Sequence, residues 1–166
     1  MIQEFVLPLF LVLCCLLALS WFAGSDAPYI PTQMELIEKT LAKAKVKKGK
    51  KFYELGSGDG RVVYVAARMG AQATGIEQSL LRVIYSKYKA KKLRLTKAAF
   101  IHGNIFSRKY TDADVVYIFL LKPAVVRLEN KLYAELKKGA IIITQRYHFQ
   151  SWQPFAKIGE FNLYQV

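Results

Sequence analysis

Apolar residues run without a charge from Phe5 to Ala23, after which the chain changes to short apolar blocks separated by polar, glycine-rich turns. The first run, 19 residues interrupted in character only by Pro8 and Ser20, is long enough as a helix to cross a hydrocarbon layer of about 30 Å. Beyond it, Met34, Ile37, Leu41 and Ala44 recur at helical spacing, and Thr32 with Glu35 forms the T-x-x-E box that opens such a helix. Phe52-Tyr53 begins a strand. Arg61 to Met69 predicts a helix with Val62, Val63, Ala66 and Ala67 on one face and Gly70 as its stop, and residues 71–76 predict a second strand. A helix over Ser79 to Arg94 and a strand over Ala98 to Ile101 follow. The near-continuous apolar stretch Ala113 to Leu120 predicts a buried parallel strand. Pro123 then sits early in a helix that closes at Gly139, Ala140 to Thr144 forms a fifth strand, and 155–166 reads as a terminal antiparallel hairpin. The alternation predicts an α/β, doubly wound, mostly parallel sheet.

Length changes this picture little: 166 residues hold one domain and an appendage. The expected division is an N-terminal transmembrane anchor at 1–24, a loop, capping helix and basic linker at 25–50, and the main domain at 51–166. A cleaved signal peptide is the competing account of the first run, but Met1 to Glu4 carry no basic residue and one acidic one. All 25 Lys and Arg residues follow the apolar run, so the positive-inside tendency places a single-pass protein with its globular part on the cytoplasmic side. Cys14 and Cys15 lie inside the run, which leaves the main domain without a disulfide or a cysteine-based zinc site, and no metal is expected.

Charge is the strongest compositional bias. The net charge is +13, concentrated in Lys39 to Lys51 and Lys87 to Arg94, and such surfaces are drawn to anionic lipid. Nucleic acid is the rival partner, supported by Tyr85 and Tyr88 within the second cluster. Those tyrosines continue the helical face of Leu81 and Ile84, however, and are expected in the core, which disfavours nucleic acid.

The chemistry is concentrated in Glu54-Leu55-Gly56-Ser57-Gly58-Asp59-Gly60-Arg61. Glycines at alternate positions after a strand let a ligand lie against bare backbone, and the following helix is expected to offer free N–H groups to an anion. A dinucleotide turn needs G-x-G-x-x-G, which would put its third glycine at position 61; that residue is Arg61, and the third glycine is Gly60. Glu77, at the end of the second strand, is placed to accept two hydrogen bonds from a ribose diol. Its alternative role is a solvated charge at a helix start that Ser79 could cap.

This pattern, acidic-x-G-x-G-x-G, resembles motif I of class I S-adenosylmethionine-dependent methyltransferases. With the P-Y-I-P-T loop at 28–32, G-I-E at 75–77, H-G-N-I-F at 102–106, K-L-x-x-E-L-K-K-G at 131–139 and Trp152-Gln153-Pro154, the chain after the anchor resembles one group. These are the small membrane-anchored methyltransferases whose mitochondrial members methylate lysine in the ADP/ATP carrier and the ATP synthase c-subunit. The resemblance implies a Rossmann-like methyltransferase sheet with S-adenosyl-L-methionine as cofactor and a membrane-protein lysine as acceptor. By position it implies that Glu54, Gly56, Gly58 and Gly60 hold the methionine end, Glu77 the ribose, and Asn104 with Ile105 the adenine, while Tyr29 and Thr32 close the pocket. Asn104 departs from the usual Asp, so its amide oxygen can accept from the adenine amine only without charge. No catalytic set is visible; Tyr29, Leu120 and Leu121 are the pocket candidates, and His102 and His148 are expected to be structural or solvated. Two other functions fit the same residues: methylation of a lipid or small molecule at the membrane surface, and an inactive cofactor-binding scaffold.

Overall fold

The computed structural model describes residues 2–22 and 34–166. Its elements, in order, are α1 Ile2–Phe22, α2 Met34–Lys43, β1 Lys51–Leu55, α3 Arg61–Arg68, β2 Gln72–Glu77, α4 Leu80–Lys92, β3 Ala98–His102, β4 Val115–Ile118, α5 Lys122–Glu135, β5 Ile141–Gln145, β6 Ala156–Ile158 and β7 Phe161–Gln165. They build one seven-stranded sheet in the order β3-β2-β1-β4-β5-β7-β6. The first five strands are parallel; β7 runs antiparallel to β5, and β6 antiparallel to β7, as the terminal hairpin requires.

Both faces of the sheet are covered, which is why its strands read as apolar blocks. In β5, Ile141 and Ile143 point to the face packed by Ile37 and Leu41 of α2, Val63 and Ala66 of α3 and Val83 of α4. Ile142 points to the opposite face, where Val125, Leu128 and Leu132 of α5 close the second half of the core. A polar chain runs from the first half of the core to the surface: the buried Tyr117 hydroxyl donates to buried Gln145, whose amide donates to Glu160 in the hairpin turn. This chain satisfies groups that burial would otherwise penalise, and it ties the hairpin to β4 and β5.

The edge of the sheet where β1 and β4 begin is basic and internally paired. Lys51 meets Asp112 at 2.8 Å, and Lys50 and Lys137 meet Asp114 at 3.2 and 2.9 Å. The Lys51 hydrogen bond holds the Asp112 carboxyl below the ordinary carboxylate range. Burial alone would raise Asp114, but the Lys51 backbone N–H and the Lys137 and Lys50 ammonium groups outweigh it and hold that carboxyl low as well. Part of the Lys39 to Lys51 charge expected to face lipid is therefore paired within the fold.

Three other expectations need correction. β4 is shorter than Ala113 to Leu120, because Phe119 and Leu120 leave the ladder to turn over the end of the sheet. The face of α4 carrying Ile84, Tyr85 and Tyr88 is not core: these residues are exposed, and α4 instead buries Arg82, Val83, Ser86 and Ala90. Helical periodicity identified a stripe correctly but not the side of the helix on which the sheet lies. Finally, among the described residues no helix is long and apolar enough to cross a membrane. Ala23, the last residue of the apolar run, lies outside the described residues.

Candidate active site

β1 lies between β2 and β4, so the sheet reverses its winding direction there, and the crevice outside the carboxyl ends of these strands is where α/β sheets take ligands. The loop from β1 to α3 crosses that crevice. Gly56, Gly58 and Gly60 have φ of +82°, +53° and +79°, a region that side-chain-bearing residues rarely adopt. Their surroundings differ. A Cβ on Gly56 would lie 2.7 Å from the Leu120 side chain, and one on Gly60 would lie 2.6 Å from the Phe100 ring, whereas nothing stands within 4 Å of one on Gly58. The loop is thus packed from below at both ends and bare at its centre, where a ligand can reach the backbone.

Glu77 joins the two sequence signals. One carboxylate oxygen accepts from the Gly58 N–H at 2.8 Å and the other from the Ser79 N–H at 2.9 Å. The residue is only 5% exposed, which excludes a solvated surface charge, and it caps α4 itself, since the Ser79 side chain makes no cap bond. Each carboxylate oxygen retains a second lone-pair direction for a ribose hydroxyl.

The amino end of α3 is already occupied by carboxylates. Asp59 accepts from the Arg61 N–H at 3.3 Å, and Glu54 from the Val63 N–H at 3.2 Å. The expectation of free N–H groups for an anion is therefore corrected: two of these donors are satisfied by the protein's own acids, and Asp59 is further paired with the Arg61 guanidinium at 2.9 Å. Glu54 is buried beneath the loop, and its burial, then the Asp59 charge, with Glu77 adding to it, push its carboxyl well above the ordinary range. A pyrophosphate would find these two N–H donors already taken. A ligand carrying a positive sulfonium and ammonium would relieve the crowding of like charge.

The adenine-side candidates lie one strand over. Gly103 donates to the Glu77 carbonyl at 3.0 Å, which sets the Asn104 turn beside the ribose carboxylate. Asn104 Oδ1 accepts from the Phe106 N–H at 2.8 Å, leaving one lone pair, while Ile105 is buried and its carbonyl accepts from Tyr110 at 2.7 Å. At the end of β4, Leu120 is buried under Gly56 and supports the loop, so Leu121, 37% exposed, is the apolar residue left open. Tyr29 and Thr32 lie outside the described residues.

Sequence reasoning missed Asp59, Ser57 and Phe100. A signal for the second existed: Gly75 stands inside β2, and a lone glycine in a strand marks close backbone approach. Ser57 is what approaches, 2.6 Å from where a Gly75 Cβ would lie, and its hydroxyl is the one buried side-chain polar atom without a hydrogen-bond partner among the described residues. A hydroxyl left unpaired beneath a ligand loop suits a site that takes polar groups. Both histidines sit at strand ends: His102 contacts the Gln78 carbonyl at 2.9 Å, and His148 shares a 2.8 Å bond with Thr144. Burial, then Lys157, lowers the His148 imidazole below its ordinary value, so it is neutral near pH 7.

A glycine loop over the central strand, an acid at the end of the next strand and a terminal antiparallel hairpin define the class I S-adenosylmethionine-dependent methyltransferases. Within that class the chain belongs to the ANTKMT methyltransferase domain family, whose model matches residues 54–156. It is 32% identical to a protein-lysine N-methyltransferase of Saccharolobus islandicus, over 76% of this chain and 81% of that one. It is 31% identical to the ATP synthase c-subunit lysine N-methyltransferase of Mus musculus, over 80% of this chain but only 54% of the mouse protein. Among solved structures, an RNA methyltransferase from Salinibacter ruber in complex with S-adenosyl-L-homocysteine superposes with a TM-score of 0.75 at 29% identity, covering 81% of this chain and 91% of that one.

Proposed function

We propose that this chain binds S-adenosylmethionine across Gly56, Gly58 and Gly60 and transfers its methyl group to the side-chain amine of a lysine in a membrane protein. The observation that carries the cofactor assignment is the pair of acids that take up N–H donors at the amino end of α3, which removes donors a pyrophosphate would need and leaves acidic groups beside the place of a cationic sulfonium. In this reading Glu77 holds the ribose, Asn104 and Ile105 border the adenine, and Tyr29 and Thr32 close the pocket. Bound there, the cofactor supplies a methyl group already activated on sulfur.

The remaining task of the protein is to present a neutral amine in line and without water. A lysine of reference pKa about 10.4 loses its proton more readily when desolvated and when cations stand nearby. Leu121 gives an apolar surface, and Lys122, which opens α5, gives a cation beside it. Lysine as acceptor is supported by the names of the archaeal and mouse relatives. Membrane tethering is supported by the uncharged run Phe5 to Ala23, with the basic domain held at the cytoplasmic surface.

Two measurements test this reading. Calorimetry on the full chain should show binding of S-adenosylhomocysteine and none of NAD; comparable affinities would overturn the cofactor assignment. Incubation with membranes and methyl-labelled cofactor should then place label on lysine in a protein band. Label in extracted lipid or in RNA would move the acceptor to that class, and tight binding with no acceptor anywhere would make the chain a scaffold.

A further inference from the structure

Helix α4 leaves an apolar stripe facing outward. It buries Arg82, Val83, Ser86 and Ala90, whereas Leu80, Ile84 and Tyr88 are 53%, 55% and 66% exposed. Spaced four residues apart, these three form a single stripe along the helix. A helix of a water-facing surface does the reverse, burying such a stripe and exposing its polar side.

Lysines border this stripe, and no acid balances them: no Asp or Glu occurs between Glu77 and Asp112. None of the α4 lysines makes an ion pair with a carboxylate among the described residues. On the side toward the open edge strand β3 lies a groove of about 580 Å³, where Lys87, Lys91 and Arg94 stand over Leu95, Ala98 and Phe100. Arg94 has a φ of +54°, in the left-handed conformation that glycine usually supplies after a helix end. The fold thus accepts strain at a position whose side chain lines the groove. Helix α1 comes alongside α4, yet the stripe remains exposed with α1 in place.

We propose that this face is a docking surface for an anionic bilayer: Leu80, Ile84 and Tyr88 enter the interfacial layer, and Lys87, Lys91 and Arg94 hold headgroup phosphates, one of them in the groove. The inference rests on the membrane reading above and adds an orientation to it. Aliphatic side chains beside an interfacial tyrosine and long, snorkelling lysines match the demands of a bilayer surface. Tyr85 and Tyr88 are exposed rings on which a base could stack, but Leu80 and Ile84 beside them offer none and instead suit an acyl layer, so lipid is the better-fitting anion. Because Leu80 stands three residues beyond Glu77, docking brings the carboxyl ends of the strands, and the cofactor loop with them, to the membrane surface.

The test uses the full chain with Tyr88→Trp, the unsubstituted chain supplying the background of Trp21 and Trp152. It is mixed with phosphatidylcholine vesicles carrying brominated acyl chains, either neutral or containing 30% phosphatidylserine as a chosen condition of about that fraction. The added emission should be quenched in anionic vesicles and not in neutral ones. Lys87→Glu with Lys91→Glu should abolish that quenching, weakening docking by roughly 30-fold or more, while circular dichroism shows the fold intact. Equal quenching in both vesicles, or protection of this face by RNA and not by anionic vesicles, would overturn the proposal. Flotation separates the two ideas. A chain that floats with neutral vesicles but shows no charge-dependent quenching keeps its anchor and loses the docking face. A chain that fails to float with neutral vesicles, yet is quenched in anionic ones, keeps the docking face and loses the anchor.

Discussion

The Glu77 carboxylate accepts the Gly58 N–H at 2.8 Å, so the acid at the end of β2 holds the centre of the loop that follows β1. One residue therefore shapes the loop and faces the ligand, and removing it has two effects. Glu77→Ala should weaken S-adenosylhomocysteine by roughly tenfold or more, since a charge-assisted bond is worth about 1.5 to 3 kcal/mol. Glu77→Gln, which can still accept from one N–H, should lose less. Calorimetry with wild-type affinity in the alanine variant would reduce Glu77 to a helix cap.

The loop glycines should separate binding from stability. Gly58→Ala meets empty space, so its cost to the fold is only the left-handed conformation, about 1 to 2 kcal/mol, while its methyl group occupies the bare centre of the loop and should abolish cofactor binding. Gly60→Ala drives a Cβ into the Phe100 ring and should lower the melting temperature markedly more. If the two variants melted alike, the difference in packing beneath the loop would carry no weight.

Glu54 makes a signed prediction with pH. Its folded value is raised by burial and by Asp59, so the folded state binds the proton more tightly than the unfolded state, and stability falls as pH rises from the ordinary value of 4.5 toward the raised value. Glu54→Gln removes that loss while keeping an acceptor for the Val63 N–H. The variant should melt above the wild type at pH 8, with the advantage vanishing near pH 4, and should bind the cationic cofactor more weakly. Thermal melts across that range decide it; lower stability at pH 8 would mean that the ionised carboxylate is well accommodated.

Both halves of the core draw on residues after α1, so deletion of Met1 to Ala23 should leave S-adenosylhomocysteine affinity unchanged. Methylation of native membranes at low enzyme concentration should fall steeply, because tethering raises the effective concentration toward acceptors held in the same bilayer. Added salt should reduce the remainder by screening the basic surface. A truncated chain as active on a soluble protein or RNA as the full chain is on membranes would reassign that surface.

What the sequence determined by itself was local. Three glycines at alternate positions state a backbone conformation, because each φ concerns one residue and its neighbours. The alternation of apolar blocks and turns states a two-sided parallel sheet, because burial on both faces leaves no polar face to read. The hairpin was legible from Gly159-Glu160 between two short apolar runs for the same reason.

The tertiary structure decided which groups meet across the chain. Glu54 and Asp59 on the amino end of α3, Leu120 beneath Gly56 and Ser57 against Gly75 depend on where strands distant in sequence come to lie. Helix α4 shows this limit most clearly: spacing places Leu80, Ile84 and Tyr88 on one stripe, but only the packing of Val83 and Ala90 against the sheet turns that stripe outward. Periodicity reports the angle between side chains around a helix axis. The direction from that axis to the core is a property of the neighbours.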